Sequence, residues 1–288
     1  MSQLLIPVHC NTPMQLRSYL RGHAGISARL LNRLKHQNGG ILCNGNPIRV
    51  IDTVKNGDLI CLDLQEASAF TPNPKLCVPV VYENESVVIY NKPANMPVHP
   101  SPGHYEDTLG NYHAARYPNH RFHAVFRLDR NTSGLCAIAK TAYAAHRLHH
   151  AFTKRYYALV PPDCSGSGTI SAPIGRVQDS VITRCVRADG KEAVTHYRTL
   201  IQTPQCALVE LMPQTGRTHQ IRVHMAHLGF PLLGDDLYGG DCTLLQSHAL
   251  HCGMLSFCDP ITHHLMTLTA PLRQEMLALL PHEISLFP

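Results

Sequence analysis

The chain has 288 residues, 44% hydrophobic and 16% charged, which is enough apolar mass for a large core and too long for most single compact domains. Its eleven cysteines form no C-x-x-C pair, which argues against a disulfide framework and a zinc ribbon. The start MSQLLIPVHC has no leader pattern and no apolar run reaches membrane-spanning length, so a cytoplasmic protein with reduced thiols and no membrane association is expected.

The net charge of +5 is concentrated in two places. From Met1 to Ile51 there is no acid, but there are Arg17, Arg21, Arg29, Arg33, Lys35 and Arg49. From Thr108 to Pro162 the single acid Asp129 stands against eight Lys and Arg residues. Acid-free basic stretches are the electrostatic footprint of a protein that meets phosphates.

Taken in chain order, residues 12–64 read as a small α/β unit. Leu16 and Leu20, then Ile26, Leu30, Leu31 and Leu34, predict two helices broken at Gly22 and Gly25, with Ser27 capping the second. Arg29 and Arg33, four apart, share a face of that helix. Short strands follow around Asn44-Gly45 and Asn56-Gly57 turns. With Cys43-Asn44-Gly45 and Val54-Lys55-Asn56-Gly57-Asp58-Leu59-Ile60, the segment resembles an S4-type RNA-binding domain. That resemblance implies RNA contacts from Arg29, Arg33 and Lys35. The polar, proline-containing QEASAFTPNPK, 65–76 with its flank, reads as a linker.

From Cys77 onward, short β-branched runs alternate with turn residues: VPVVYENESVVIYNKP, LCAIAK, RYYALV, GTISAPIG, THYRTLI and CALVELMP. Helical patterns are predicted over 107–116, 142–152 and 218–228. The expected organisation is α+β: a unit over 1–64, a linker over 65–76, and a larger, mainly antiparallel mixed-sheet domain over 77–288.

The stretch AVFRLDRNTSGLCAIAK, Ala124 to Lys140, carries the candidate chemistry. Neighbouring cations favour the charged form of a carboxylate, so Asp129 is available as nucleophile, base or electrostatic stabiliser. Thr132, Ser133 and Gly134 can fix its loop at the start of a buried strand. The string resembles the H-R-L-D-x-x-T-S-G motif of the RluA-type pseudouridine synthases. Further segments follow in that family's order. They are NKPANMPVHPS at Asn91, KRYYALV at Lys154, APIGR with DGKEAVTHYRTL at Ala172 to Leu200, TGRTHQIRVHMAHLGFPLLGDDLYG at Thr215, and ALHCGMLSFCDPITHHLMTLTAPL at Ala249. An ordered set is far more specific than any one motif.

The resemblance implies an enzyme that isomerises uridine to pseudouridine in RNA. The N-glycosidic bond breaks, the uracil turns, and C5 joins C1′. No atoms enter or leave, so no cofactor and no metal is implied. Asp129 matches the catalytic aspartate, Tyr156 the active-site tyrosine against the uracil, and Arg222 the arginine paired with the aspartate. Arg127 matches the arginine that fills the space left by the flipped uridine. The arrangement of an S4 module before this domain implies large-subunit ribosomal RNA, with transfer RNA the alternative. A monomer is expected, although no residue of the sequence reports the oligomeric state. Phe126 stands where the family usually has His, and Asn95 where it has Gly. Asn tolerates left-handed backbone, so that loop survives the change.

Two other readings compete. His219, His224 and His227, or His248, His251, Cys252 and Cys258, are candidate metal ligands by type and spacing, but no H-E-x-x-H supports them. A catalytically silent RNA-binding protein would be favoured by loss of Asp129, which is present.

Overall fold

The computed structural model describes residues 3–65, 68–149, 151–178, 180–259 and 262–281. The first 64 residues enclose an apolar cluster of their own. Strand β1 (Gln3–Pro7) precedes β2 (Met14–Gln15), α1 (Leu16–Gly22) and α2 (Ala28–Leu34). They are followed by β3 (Ile41–Cys43), β4 (Asn46–Pro47), β5 (Thr53–Val54) and β6 (Leu59–Asp63). The two predicted helices bury Leu16, Tyr19 and Leu20, and Leu30, Leu31 and Leu34, as their apolar spacing requires. Ser27 caps α2, its Oγ accepting from the Leu30 N–H at 3.1 Å. Asn44 and Gly45 both have positive φ (50° and 83°), the requirement of a tight hairpin turn between β3 and β4. β1, outside the span predicted from residue 12 onward, pairs with β6 over five residues in the sheet β1-β6-β3-β4.

Of the strands beyond residue 64, ten build one sheet and two others pair with each other apart from it. In chain order the elements are β7 (Val80–Glu83), β8 (Val87–Lys92), α3 (Leu109–Arg116), β9 (His123–Ala124), β10 (Ser133–Ala139) and α4 (Ala142–Leu148). Then come β11 (Thr153–Val160), β12 (Ser167–Ser171), β13 (Ile174–Arg176), β14 (Arg184–Val186), β15 (Val194–Gln202) and β16 (Ala207–Pro213). The last are α5 (Gln220–His227), a 3-10 turn (Asp236–Tyr238), β17 (Leu250–Cys258), β18 (Leu265–Thr269) and α6 (Gln274–Leu277). The order is β12-β15-β16-β11-β17-β10-β8-β7, with β18 on β17 and β9 on β10. Every pairing is antiparallel except β10 with β17, where Ser133 faces His251 and Gly134 faces Cys252. That parallel seam joins the two halves of the sheet, and β10, buried along its whole length, runs through it.

The helices are shorter than the sequence predicts. α4 stops at Leu148 rather than Phe152, because Thr153 already pairs with Ser256 in the sheet. α5 starts at Gln220 rather than Thr218, because His219 takes a left-handed conformation (φ 57°) and ends any helical run there. α3 begins at Leu109 rather than Asp107, directly after its N-cap Thr108, which forms a capping box with Asn111. The linker segment is docked on the larger unit. Phe70 packs edge-on against Phe122, and the Asn73 side chain donates to the Glu106 carbonyl at 2.7 Å. Among the described residues, no helix is long and apolar enough to cross a membrane.

Candidate active site

Asp129 lies on the loop that enters β10 at the parallel seam. The Thr132 N–H donates to the Asp129 carbonyl at 3.1 Å and closes the turn. The Thr132 hydroxyl meets His248 Nε2 at 2.9 Å, and the Ser133 hydroxyl meets His251 Nδ1 at 2.9 Å. Both imidazoles are buried, and burial pushes His248 down to about 2 and His251 to about 4, so both stay neutral. Gly134 has φ 102°, and a Cβ here would run into the Cys252 backbone. Only glycine permits that approach of the two parallel strands.

A second support comes from below. Lys92 is fully buried, and its Nζ donates to the carbonyls of Pro93 (2.8 Å), Met96 (2.8 Å) and Arg130 (3.0 Å). Burial pulls its ammonium down to about 8, against the opposing pull of Cys136 and Asp129. The three carbonyls favour the charged form, so the lysine ties the 91–101 loop to the loop of Asp129. Asn95 has φ 62°, the left-handed conformation read from the sequence.

The Asp129 side chain is 27% exposed, and its Oδ2 accepts from Arg222 Nη1 at 3.4 Å. His219 Nε2 stands 3.9 Å from the same oxygen. The short bonds of Arg222 go elsewhere. Nε donates to Asp235 Oδ2 and Nη2 to Asp235 Oδ1, both at 2.7 Å. Asp235 is fully buried, and the Tyr238 ring lies 4.9 Å from the guanidinium carbon. Burial works against the charge of Arg222, and Asp235 followed by Asp129 more than offsets it. A buried arginine demands a carboxylate. Asp235 meets that demand, and Asp129 shares one remaining N–H.

Tyr156 sits on β11, opposite Cys252 of β17. Lys92, Gly134, Cys252 and Tyr156 therefore form one cross-strand row from β8 to β11. Tyr156 is only 8% exposed, and its hydroxyl meets the Cys252 thiol. Burial, then Cys252 and Cys136, then Asp129, push that hydroxyl well above its usual range. The phenol is neutral and offers an aromatic wall rather than a base. Arg127 is exposed at the rim. The arrangement is a partly exposed carboxylate with one oxygen accepting from Arg222, on a loop fixed from two sides.

The residues 86–227 match the family model described as RNA pseudouridylate synthase. The chain is 38% identical over 282 residues to "Uncharacterized RNA pseudouridine synthase YjbO" of Bacillus subtilis (strain 168), covering 94% of this chain and 99% of the relative. The chain belongs to the RNA pseudouridylate synthase family. It is an isomerase of that family, whose members act on RNA. It is also 36% identical over 268 residues to "Ribosomal large subunit pseudouridine synthase D" of Pseudomonas aeruginosa, covering 85% of this chain and 84% of that one. The solved "Human RNA Pseudouridylate Synthase Domain Containing 1" superposes with a TM-score of 0.57 at 26% identity, covering 70% of this chain and 86% of the human one. The mixed sheet is the pseudouridine synthase fold.

In this synthase four of the five histidines that suggested metal ligands, all but His227, have hydrogen-bond partners among the described residues. His248 and His251 hold Thr132 and Ser133, His224 bridges the Thr195 hydroxyl and the Ala172 carbonyl, and His219 meets Tyr238. Phe126 packs edge-on against Phe152 at 5.5 Å, with the Lys154 ammonium 4.9 Å from its ring. Arg29 and Lys35 are exposed on the first unit, while Arg33 is half-buried and donates to the Gln65 carbonyl at 3.1 Å. The sequence reading assigned no role to Asp235, Tyr238 or Lys92. Asp235 and Tyr238 could have been sought in LLGDDLYG, where acids follow Arg222 by thirteen and fourteen residues. Nothing in the sequence marks Lys92 as buried.

Proposed function

We propose that Asp129 is the catalytic carboxylate with which this synthase converts uridine to pseudouridine in structured RNA, large-subunit ribosomal RNA being the target. The observation that carries the reading is the partly exposed Asp129 carboxylate, oriented through one oxygen by Arg222, with the buried Tyr156 hydroxyl near enough to feel its charge. Glycoside hydrolysis uses two carboxylates, one of them to manage a water. A single acid on a basic loop suits cleavage of the N-glycosidic bond without water. The freed uracil, stacked on Tyr156, turns so that C5 meets C1′, C5 loses its proton, and N1 gains one. A base inside folded RNA must be extruded to reach this loop. Arg127, exposed beside it, fills the vacated stack.

The ribosomal target is supported by the relatives named for the large ribosomal subunit. Residues 1–64 act as an S4-like RNA-binding module, with Arg29, Arg33 and Lys35 on its phosphate-facing side, joined through 65–76 to the catalytic domain over 77–288. The enzyme works as a monomer in the cytoplasm, without cofactor. Pseudouridine mapping in cellular RNA with and without the gene tests the target. Sites lost from large-subunit ribosomal RNA are expected; sites lost only from transfer RNA would replace it. Asp129→Asn tests the carboxylate: RNA binding within twofold of wild type and no pseudouridine are expected. Undiminished product would refute the assignment.

A further inference from the structure

The two oxygens of Asp129 are not equivalent. Oδ2 faces Arg222 Nη1 at 3.4 Å and His219 Nε2 at 3.9 Å. Among the described residues, no hydrogen bond reaches Oδ1. We propose that His219 is a positioning residue of the reaction, a neutral N–H donor that holds Oδ2 and leaves Oδ1 to act on the ribose. The proposal rests on the reading of Asp129 given above.

Three observations support it. First, His219 occupies the N-cap of α5, where Ser, Thr, Asp or Asn would normally bond the helix end, and its side chain makes no cap bond. It is held left-handed instead (φ 57°, ψ 20°), a conformation strained for a non-glycine residue. That backbone turns the imidazole toward Asp129 and Tyr238 rather than toward the helix.

Second, the hydrogen bonds select the tautomer. The Tyr238 hydroxyl oxygen accepts the Arg184 backbone N–H at 3.1 Å, and lies 2.7 Å from His219 Nδ1. With its oxygen already accepting, the hydroxyl is best satisfied by donating its proton to Nδ1. Nε2 then carries the hydrogen of the neutral ring, and Nε2 is the nitrogen that faces Asp129.

Third, the surrounding charge keeps the ring neutral. Burial disfavours the imidazolium, and Arg222 and Arg184 add to this while Asp129 and Asp235 oppose it. Asp129 gives up its negative charge when it attacks or takes a proton. A second cation would resist that loss, whereas a neutral donor orients the carboxylate with a smaller penalty. Arg222, the cation already present, is largely offset by Asp235. Catalytic hydrogen bonds are often long before substrate binds and tighten in the complex. The 3.9 Å separation fits a contact of that kind.

The test uses the full chain and large-subunit ribosomal RNA purified from cells lacking the gene. His219→Gly removes the imidazole and keeps the left-handed backbone at no steric cost. The expected result is a kcat reduced by about tenfold to a hundredfold, the loss of one good hydrogen bond to a charged group, with KM and Tm unchanged. Free imidazole, small enough for the vacated space, should raise the variant's kcat several-fold and leave the wild type unaffected. A kcat within twofold of wild type, a loss confined to KM, or a kcat loss that imidazole does not relieve would each overturn the role. Absence of pseudouridine with the wild-type chain is a separate failure, since it removes the reading of the site on which this role rests.

Discussion

Arg222 gives both of its short hydrogen bonds to Asp235 and reaches Asp129 only at 3.4 Å. The centre is therefore a carboxylate–guanidinium–carboxylate arrangement in which the buried acid fixes the arginine and the arginine orients the exposed acid. Direct, close pairing of Arg222 with Asp129 would stabilise the anion most and hinder most the reaction proposed for it. The buried Asp235 moderates that hold.

Replacing Asp235 with Asn should expose this arrangement. The variant keeps the volume and removes the charge, leaving a buried guanidinium with a poorly matched partner. Breaking a buried pair in this way costs about 3 kcal/mol or more. Urea unfolding should register that loss, and kcat should fall as Arg222 shifts toward Asp129. Unchanged stability would mean that Asp235 does not carry the arginine.

Gly134→Ala addresses the seam. Both the positive φ and the collision with the Cys252 backbone oppose any Cβ. The expected penalty is on the order of 3 kcal/mol. It should fall on β10 and β17, so hydrogen exchange at Leu135 and Gly253 should accelerate before that of the β15–β16 pair. Uniform acceleration across the sheet would argue against a local role.

Lys92→Met conserves length and removes three donors from a site with three carbonyl acceptors. Unsatisfied buried acceptors cost about 1–3 kcal/mol each, less whatever water recovers. Because one acceptor belongs to Arg130, next to Asp129, turnover should fall with stability. Arginine at this position should not restore either property, since its guanidinium does not fit a site closed around an ammonium. A fully active Lys92→Met protein would show that the 91–101 loop holds the Asp129 loop without it.

Acid should unfold the protein earlier than its carboxylates alone would require. Burial pushes His113 down to about 3, His248 to about 2 and His251 to about 4, against an unfolded value near 6.5. Folded pKa values lie below unfolded ones, so between about pH 4 and 6.5 the unfolded chain binds more protons. The stability that these neutral rings confer is complete above about pH 6.5 and is lost as pH falls toward the folded values. With three such groups the slope is on the order of 4 kcal/mol per pH unit near pH 5. Denaturant titrations at pH 7.5, 6 and 5 measure it, and a flat profile over that span would contradict neutral burial.

The sequence by itself determined most strands of the larger unit, though not β9, β14, β17 or β18, the two helices of the first unit, and the candidates Asp129, Tyr156 and Arg222. These are legible because β-branched alternation, helical spacing and turn residues act over a few neighbours, and because ordered motifs carry a family's chemistry. It did not disclose β1, whose five residues acquire a role only against β6, nor the parallel seam, which depends on strands more than a hundred residues apart. Helix ends were read too long at α4 and α5, where sheet pairing and a left-handed His219 stopped them. Only the tertiary structure decided which acid Arg222 holds, that His248 and His251 support Thr132 and Ser133, and that Lys92 is buried. Each of these is a choice among residues of suitable type, made by desolvation. Once the fold removes water from a guanidinium, an imidazole or an ammonium, it must supply a partner within hydrogen-bond distance, and that distance exists only in three dimensions.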